Sequence, residues 1–130
     1  MTSLTSFPIL DLTSDHPIIQ EIYELGLKAK PAEACGVILP TPFNGSQVVE
    51  VENWASDTEG HFYTTGRAIA EAIHEWLLTA THQETLDIIF WHTHPNGGIG
   101  PSRVDLRERI FGGHHLVVSL TEDGPCPVIY

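Results

Sequence analysis

Two histidines leave the end of an apolar run, and an aspartate follows the second after ten intervening residues. The run is Ile88-Ile89-Phe90-Trp91, then His92-Thr93-His94-Pro95, and the chain continues through Gly97, Gly98 and Gly100 to Pro101-Ser102-Arg103-Val104-Asp105. Any fold for this chain must bring a strand end, a tight loop and a helix start to one place. Side chains at i and i+2 of an extended segment point to the same side. His92 and His94 can therefore offer two imidazoles to one point. Pro95 and the three glycines supply a turn whose backbone is bare enough to approach a metal. The loop returns to Asp105, one turn into a helix. Two imidazoles and a carboxylate form an N/N/O set that suits Zn²⁺. Three protein ligands leave a fourth tetrahedral position open, as in catalytic rather than structural zinc sites.

Each residue also has a plainer reading. Ser102 can be a helix N-cap, with Asp105 completing a Ser-x-x-Asp capping box, or its hydroxyl can stabilise an oxyanion opposite the metal. A cap does not account for His-x-His-Pro upstream. Two strand-end histidines bonded to water or backbone are the alternative for His92 and His94. With residue frequencies of a few per cent each, the joint pattern arises by chance on the order of once in ten thousand such chains. A zinc hydrolase also needs a base. Glu108 reads as the solvated face of the short helix. Glu33 opens an apolar segment, where a lone carboxylate is either a strand-edge charge in water or that base. Cys35, two residues on, shares Glu33's face if the segment is a strand. It is a small core residue or a thiol near the metal.

The rest of the chain supplies a scaffold. Phe7 and Ile9 around Pro8 suggest an edge strand. Asp15-His16-Pro17 reads as a helix start, with Asp15 near the N-cap, and Pro31 stops that helix. Residues 33–39 form a strand, Pro40 to Ser46 a turn with Asn44-Gly45 at its tip, and residues 47–52 the return strand. A short strand is expected at 61–63. Thr65 caps a second helix running to about Thr81, with Ile69, Ile73, Leu77 and Ala80 as its apolar stripe. A buried strand follows from Leu86 to Trp91, then a short helix from Ser102 to about Gly112-Gly113. Residues 116–120 are a strand, and Pro127 begins the last one. This order gives a mixed sheet with packed helices, in the α/β or α+β range.

Composition narrows the function. At 130 residues, 1–130 is expected to be a single domain. A net charge of −11 argues against nucleic acid, which needs a basic footprint, and against an anionic membrane surface. There is no apolar run long enough to span a bilayer and no secretory signal, so a cytoplasmic location is expected. The two cysteines form no C-x-x-C pair, so no zinc ribbon is indicated.

The pattern His92-x-His94-x₁₀-Asp105, with Pro95, Pro101 and Ser102 in place, resembles the signature of the JAMM/MPN metalloprotease family. The segment Pro31-Ala32-Glu33-Ala34-Cys35-Gly36 is similar to that family's upstream strand. The likeness runs from about residue 16 to 130 and takes in Val51-Glu52-Asn53 and the Val118-Ser119-Leu120 hairpin. It implies an α/β fold, cytidine-deaminase-like α/β/α, with a mixed curved sheet flanked by helices. It implies one catalytic Zn²⁺ on His92, His94 and Asp105, a water activated by Glu33, and an oxyanion stabilised by Ser102. It also implies hydrolysis of a peptide or isopeptide bond, including bonds after the C-terminal glycines of ubiquitin-like or sulfur-carrier proteins. A phage tail-assembly or peptidoglycan-directed metallopeptidase, virion-associated if phage-encoded, and a non-catalytic scaffold are the alternatives. The protein or peptide partner is otherwise open, as is the oligomeric state. A deaminase is disfavoured, because neither H-x-E nor P-C-x-x-C is present. The loops on either side of the site are short, which leaves no room for the ubiquitin-binding insertions of eukaryotic deubiquitinases.

Overall fold

The computed structural model describes residues 12–41, 45–107 and 114–130. The expected edge strand around Phe7 and Ile9, the tip residue Asn44, Glu108 and the helix end near Gly112-Gly113 lie outside these residues. Helix α1 (Pro17–Ala29) is followed by β1 (Cys35–Thr41) and β2 (Gly45–Val51). Three short helices come next, α2 (Gly66–Ala72), α3 (His74–Thr79) and α4 (His82–Leu86). The chain then forms β3 (Ile89–His94), α5 (Arg103–Arg107), β4 (His115–Thr121) and β5 (Gly124–Ile129). The strands form one open mixed sheet in the order β2-β1-β3-β4-β5. Among the described strands only the β3–β4 pair is parallel, with His94 opposite Ser119. The fold is α/β, with helices packed on the sheet as expected.

Alternation along the strands sorts residues onto two faces. Ile38, Ile89, Trp91, Leu116 and Val118 meet Ile18, Ile19 and Ile22 of α1 in one core cluster. Cys35, Val37, Leu39 and Val51 meet Ile69 and Ile73 of α2–α3 in a second, with Phe62 and Phe90 against it. The first contact is close. A Cβ added at Gly26 of α1 would lie 2.9 Å from the Thr93 methyl, and one at Gly36 would lie 2.0 Å from the Val49 carbonyl and 2.8 Å from the Trp91 ring. Both positions need glycine so that helix, strand and indole can approach. Trp91 Nε1 donates to the Val37 carbonyl at 3.1 Å, which satisfies the buried indole.

Several boundaries differ from expectation for identifiable reasons. The N-cap of α1 is His16, not Asp15: its Nδ1 accepts the Ile18 N–H at 3.1 Å. The β1 ladder begins at Cys35, so Glu33 precedes the strand instead of opening it. Pro40 and Ser46 pair inside the hairpin instead of forming its turn. The proline is tolerated because β1 pairs with β3 only from Cys35 to Ile38, so no ladder donor is needed from Pro40 on that side. There is no strand at 61–63. That segment is tied by Asn53, whose amide donates to the Glu33 and His61 carbonyls and accepts from Ala55 and Tyr63 N–H.

The second helix does begin at the Thr65 cap. It then breaks at Ile73, where φ −113° and ψ 19° leave the helical region while the side chain stays in the core. Leu77 of the expected stripe is 37% exposed and contributes little. Thr81 and Glu84 form a capping box that starts α4, so the strand begins at Ile89 and not at Leu86. The same shift places both His92 and His94 inside β3. The last strand starts at Gly124, three residues earlier than expected, because the two-residue turn Glu122-Asp123 pairs Thr121 with Gly124 at once. Among the described residues, no helix is long and apolar enough to cross a membrane.

Candidate metal centre

The α2-side face of the sheet turns polar at the C-terminal end of β3. His92 and His94 are both buried there, with Nε2 atoms 3.3 Å apart. Helix α5 brings in Asp105, whose Oδ2 lies 3.1 Å from His92 Nε2 and 3.0 Å from His94 Nε2. The same oxygen accepts the Ser102 N–H at 2.8 Å, while Ser102 Oγ accepts the Asp105 N–H at 3.1 Å. The capping box is therefore real, and it coexists with the cluster: capping orients the carboxylate toward the two imidazoles.

Glu33 reaches the cluster from the segment before β1. Its N–H donates to the Thr58 carbonyl and its own carbonyl accepts from Asn53. Next to it, Ala34 exchanges hydrogen bonds with Thr93 of β3 through N–H to Oγ1 and carbonyl to N–H. These four contacts fix the backbone at the site, while Glu33 Oε1 is buried without a hydrogen-bond partner. Glu33, His92 and His94 each offer a ligand atom, all within 4.8 Å of one another, and could hold a metal ion.

Electrostatics single out the same residues. Burial pushes the Glu33 carboxyl up to about 7; His94 opposes the rise, and Asp105 and Asp57 add to it. Burial also works against the Asp105 carboxylate, but bonds from His92, His94 and the Ser102 N–H outweigh it and hold this group well below the usual carboxylate range. Burial lowers His92. His94 is also opposed by burial, yet it is raised on balance by Asp105 and the Gly98 carbonyl.

The hydrogen bonding leaves a deficit that a cation would fill. His94 Nδ1 lies 3.1 Å from the Gly98 carbonyl, which can only accept. The hydrogen is therefore on Nδ1, and in the neutral ring Nε2 turns its lone pair toward Asp105 Oδ2. One proton on His92 Nε2 cannot serve both of these acceptors. Tetrahedral zinc with bonds of about 2.0–2.1 Å spaces its ligand atoms by about 3.3–3.4 Å. The three separations here, 3.0, 3.1 and 3.3 Å, fit such a centre once slightly expanded.

Every residue expected at the site lies in or against this cluster. Cys35 takes the core alternative. It is 1% exposed, sits in the apolar cluster with Val37 and Leu39, and burial, with Glu50 and Glu33, pushes its thiol up to about 12. In the sequence Gly98 has only a part in the turn, Asn53 and Ser119 have only a place in the resemblance, and Phe62 has no role at the site. Phe62 stacks on His92, with ring centroids 4.3 Å apart and planes at 22°. Ser119 carried a signal, a lone hydroxyl inside an otherwise apolar run from Leu116 to Leu120. Phe62 carried none.

No match was found among curated proteins. Residues 15–125 match the model of a family described as prokaryotic homologs of the JAB domain. With that match spanning most of its length and this cluster at the end of β3, the chain belongs to the prokaryotic JAB-domain family.

Proposed function

We propose that the domain is a zinc-dependent hydrolase of peptide or isopeptide bonds, with His92, His94 and Asp105 as metal ligands. One observation carries this reading: a buried, unpartnered Glu33 oxygen beside three converging ligand atoms. Zinc bound there supplies Lewis acidity toward a water and toward the scissile carbonyl.

The remaining chemistry belongs to the chain. A base works best when its pKa lies near the operating pH; burial raises the Glu33 carboxyl in the metal-free site, and a cation bound beside it would draw it back toward the ionised form that can accept a proton. Its free oxygen takes a proton from the attacking water and returns it to the leaving amine. Ser102 accepts from the Asp105 N–H through its oxygen, so its own O–H remains available to donate to the oxyanion of the tetrahedral intermediate. Asp105 stays ionised throughout, because the Ser102 N–H donates to its Oδ2 and a cation held there would favour the charged form. A scaffold lacking catalysis would not need the full set together with an unpartnered buried carboxylate.

The substrate class we favour is the C-terminal tail of a ubiquitin-like or sulfur-carrier protein. An extended tail ending in glycines suits a site rimmed by short loops. The test is cleavage of such a tail fused through its glycines to a reporter, alongside metal content by plasma mass spectrometry. About one zinc per chain and chelator-sensitive cleavage after the glycines are expected. Stoichiometric zinc with no cleavage of any such fusion would remove the substrate assignment. Zinc-independent cleavage would remove the metal mechanism.

A further inference from the structure

Ser119 lies in β4 between Leu116, Val117 and Val118 on one side and Leu120 on the other, and it is fully buried. A hydroxyl in such a strand costs free energy unless it is hydrogen-bonded. Its one donor goes to the Gly98 carbonyl, 21 residues away in the chain. That carbonyl also receives His94 Nδ1–H, and His94 is the register partner of Ser119 across the parallel β3–β4 pair. The Gly98 N–H in turn donates to Asn96 Oδ1 at 3.2 Å. Both ends of the Gly98 residue are thus held in a loop whose neighbours Gly97 and Gly100 adopt φ of 81° and 76°.

We infer that Ser119 is a positioning residue for the metal centre: its hydroxyl clamps the Gly98 carbonyl, and the carbonyl keeps His94 in the tautomer and orientation that aim Nε2 at the metal. This rests on reading the site as a metal centre. A carbonyl oxygen has two lone pairs and can accept both donors. Without the hydroxyl, the Gly98 carbonyl is left with the ring it is meant to orient, while Asn96 holds only the N–H side of the residue. Partners that orient metal-bound histidines typically contribute ~10–100-fold to metal affinity.

The test compares Ser119→Ala, Ser119→Cys and Ser119→Thr with the wild type. Cysteine has nearly the size of serine but is a weak donor, and threonine keeps the hydroxyl. Zinc affinity is measured by competition with a chelator. The His94 tautomer is read in the metal-free protein by long-range proton–nitrogen correlation NMR. The alanine and cysteine variants should bind zinc ~10–100-fold more weakly. Their His94 nitrogens should move from the shifts of one Nδ1–H tautomer to averaged values. Threonine should restore both. A cysteine variant with a wild-type thermal midpoint separates these effects from misfolding. Zinc affinity within about twofold of wild type together with an unchanged tautomer in Ser119→Ala and Ser119→Cys would overturn the inference. If the wild type binds no zinc, the metal-centre reading falls, and the tautomer measurement still decides what Ser119 does.

Discussion

On the α1 face of the sheet, Ile89, Trp91, Leu116 and Val118 close against three isoleucines of one helix. On the opposite face the strand residues divide. Val37, Leu39 and Val51 close against Ile69 and Ile73, whereas His92 and His94 lie beside Glu33, with Phe62 on the His92 ring, and His94 and Ser119 bond to the loop that leads to Asp105. One face has a single long helix over it. The other has the short helices α2 and α3, of seven and six residues, over one end, while the histidine end is met by the loop and short helix that carry Asp105. Full apolar coverage gives stability. Partial coverage by loops lets polar side chains be buried while a substrate can still approach them. If this division is correct, substitutions on the two faces should separate stability from chemistry.

The largest separation is expected at Asp105. Asp105→Ala should take bound zinc from about one per chain to well below a tenth, and turnover with it, because a ligand is lost. The apolar clusters do not include this residue, so circular dichroism should stay close to wild type, and the metal-free thermal midpoint should fall only by what the lost capping box contributes, about 1 kcal/mol. Loss of the fold with the metal would mean that the polar end also carries stability.

Glu33→Gln should keep zinc and lower turnover by ~10²–10⁴, the usual contribution of a general base. Wild-type turnover in this variant would show that Glu33 is not the base. The same pair of proteins tests the burial of Glu33 without metal. Its carboxyl is raised on folding from 4.5 to about 7. A group raised in this way adds stability that is whole below the unfolded value and lost as pH rises through the folded value. Metal-free wild type should therefore lose on the order of 3 kcal/mol relative to Glu33→Gln as pH rises from about 4.5 to about 7.5. Parallel stability profiles for the two proteins would place the carboxylate in water.

Ile22, fully buried under α1, tests the opposite face. Ile22→Ala should cost about 2–5 kcal/mol in chemical denaturation. The folded fraction should keep wild-type zinc content and turnover. A change in zinc affinity would show that packing under α1 is transmitted through β3, whose alternate residues lie on the two faces.

The cluster of His92, His94 and Asp105 was legible in the sequence because alternation and spacing act locally: His92 and His94 share a face whatever the rest of the chain does, and Ser102-x-x-Asp105 caps its own helix. Glu33 was legible only as a carboxylate without an obvious reason, since its reason is tertiary. It is fixed by Thr58, Asn53 and, through Ala34, by Thr93, none adjacent to it in sequence. The capping box Thr81-His82-Gln83-Glu84 could have been read and would have corrected the start of β3 by three residues. The break at Ile73 had no such sign, because no glycine or proline marks it and the core decides it. Ser119 and Gly98 were visible as residue types, but their relation depends on the β3–β4 register.

Phe62 lies on the boundary between the two ends of the α2-side face, and the smallest effect is expected there. It packs against the apolar cluster around Val37 and stacks on the ring of His92. Leucine in its place keeps most of the apolar contact and loses the stack, which is worth about 0.5–1.5 kcal/mol for aromatic pairs. If the two ends of the face are independent, Phe62→Leu should lower stability by about 1 kcal/mol and leave zinc affinity alone. If the stack also holds His92 in its metal-binding orientation, zinc affinity should fall by a few-fold at the same stability cost, since a second residue would then be orienting a ligand as the Gly98 carbonyl orients His94. Chelator competition on this one variant separates a polar site that merely adjoins the apolar cluster from one that is braced by it.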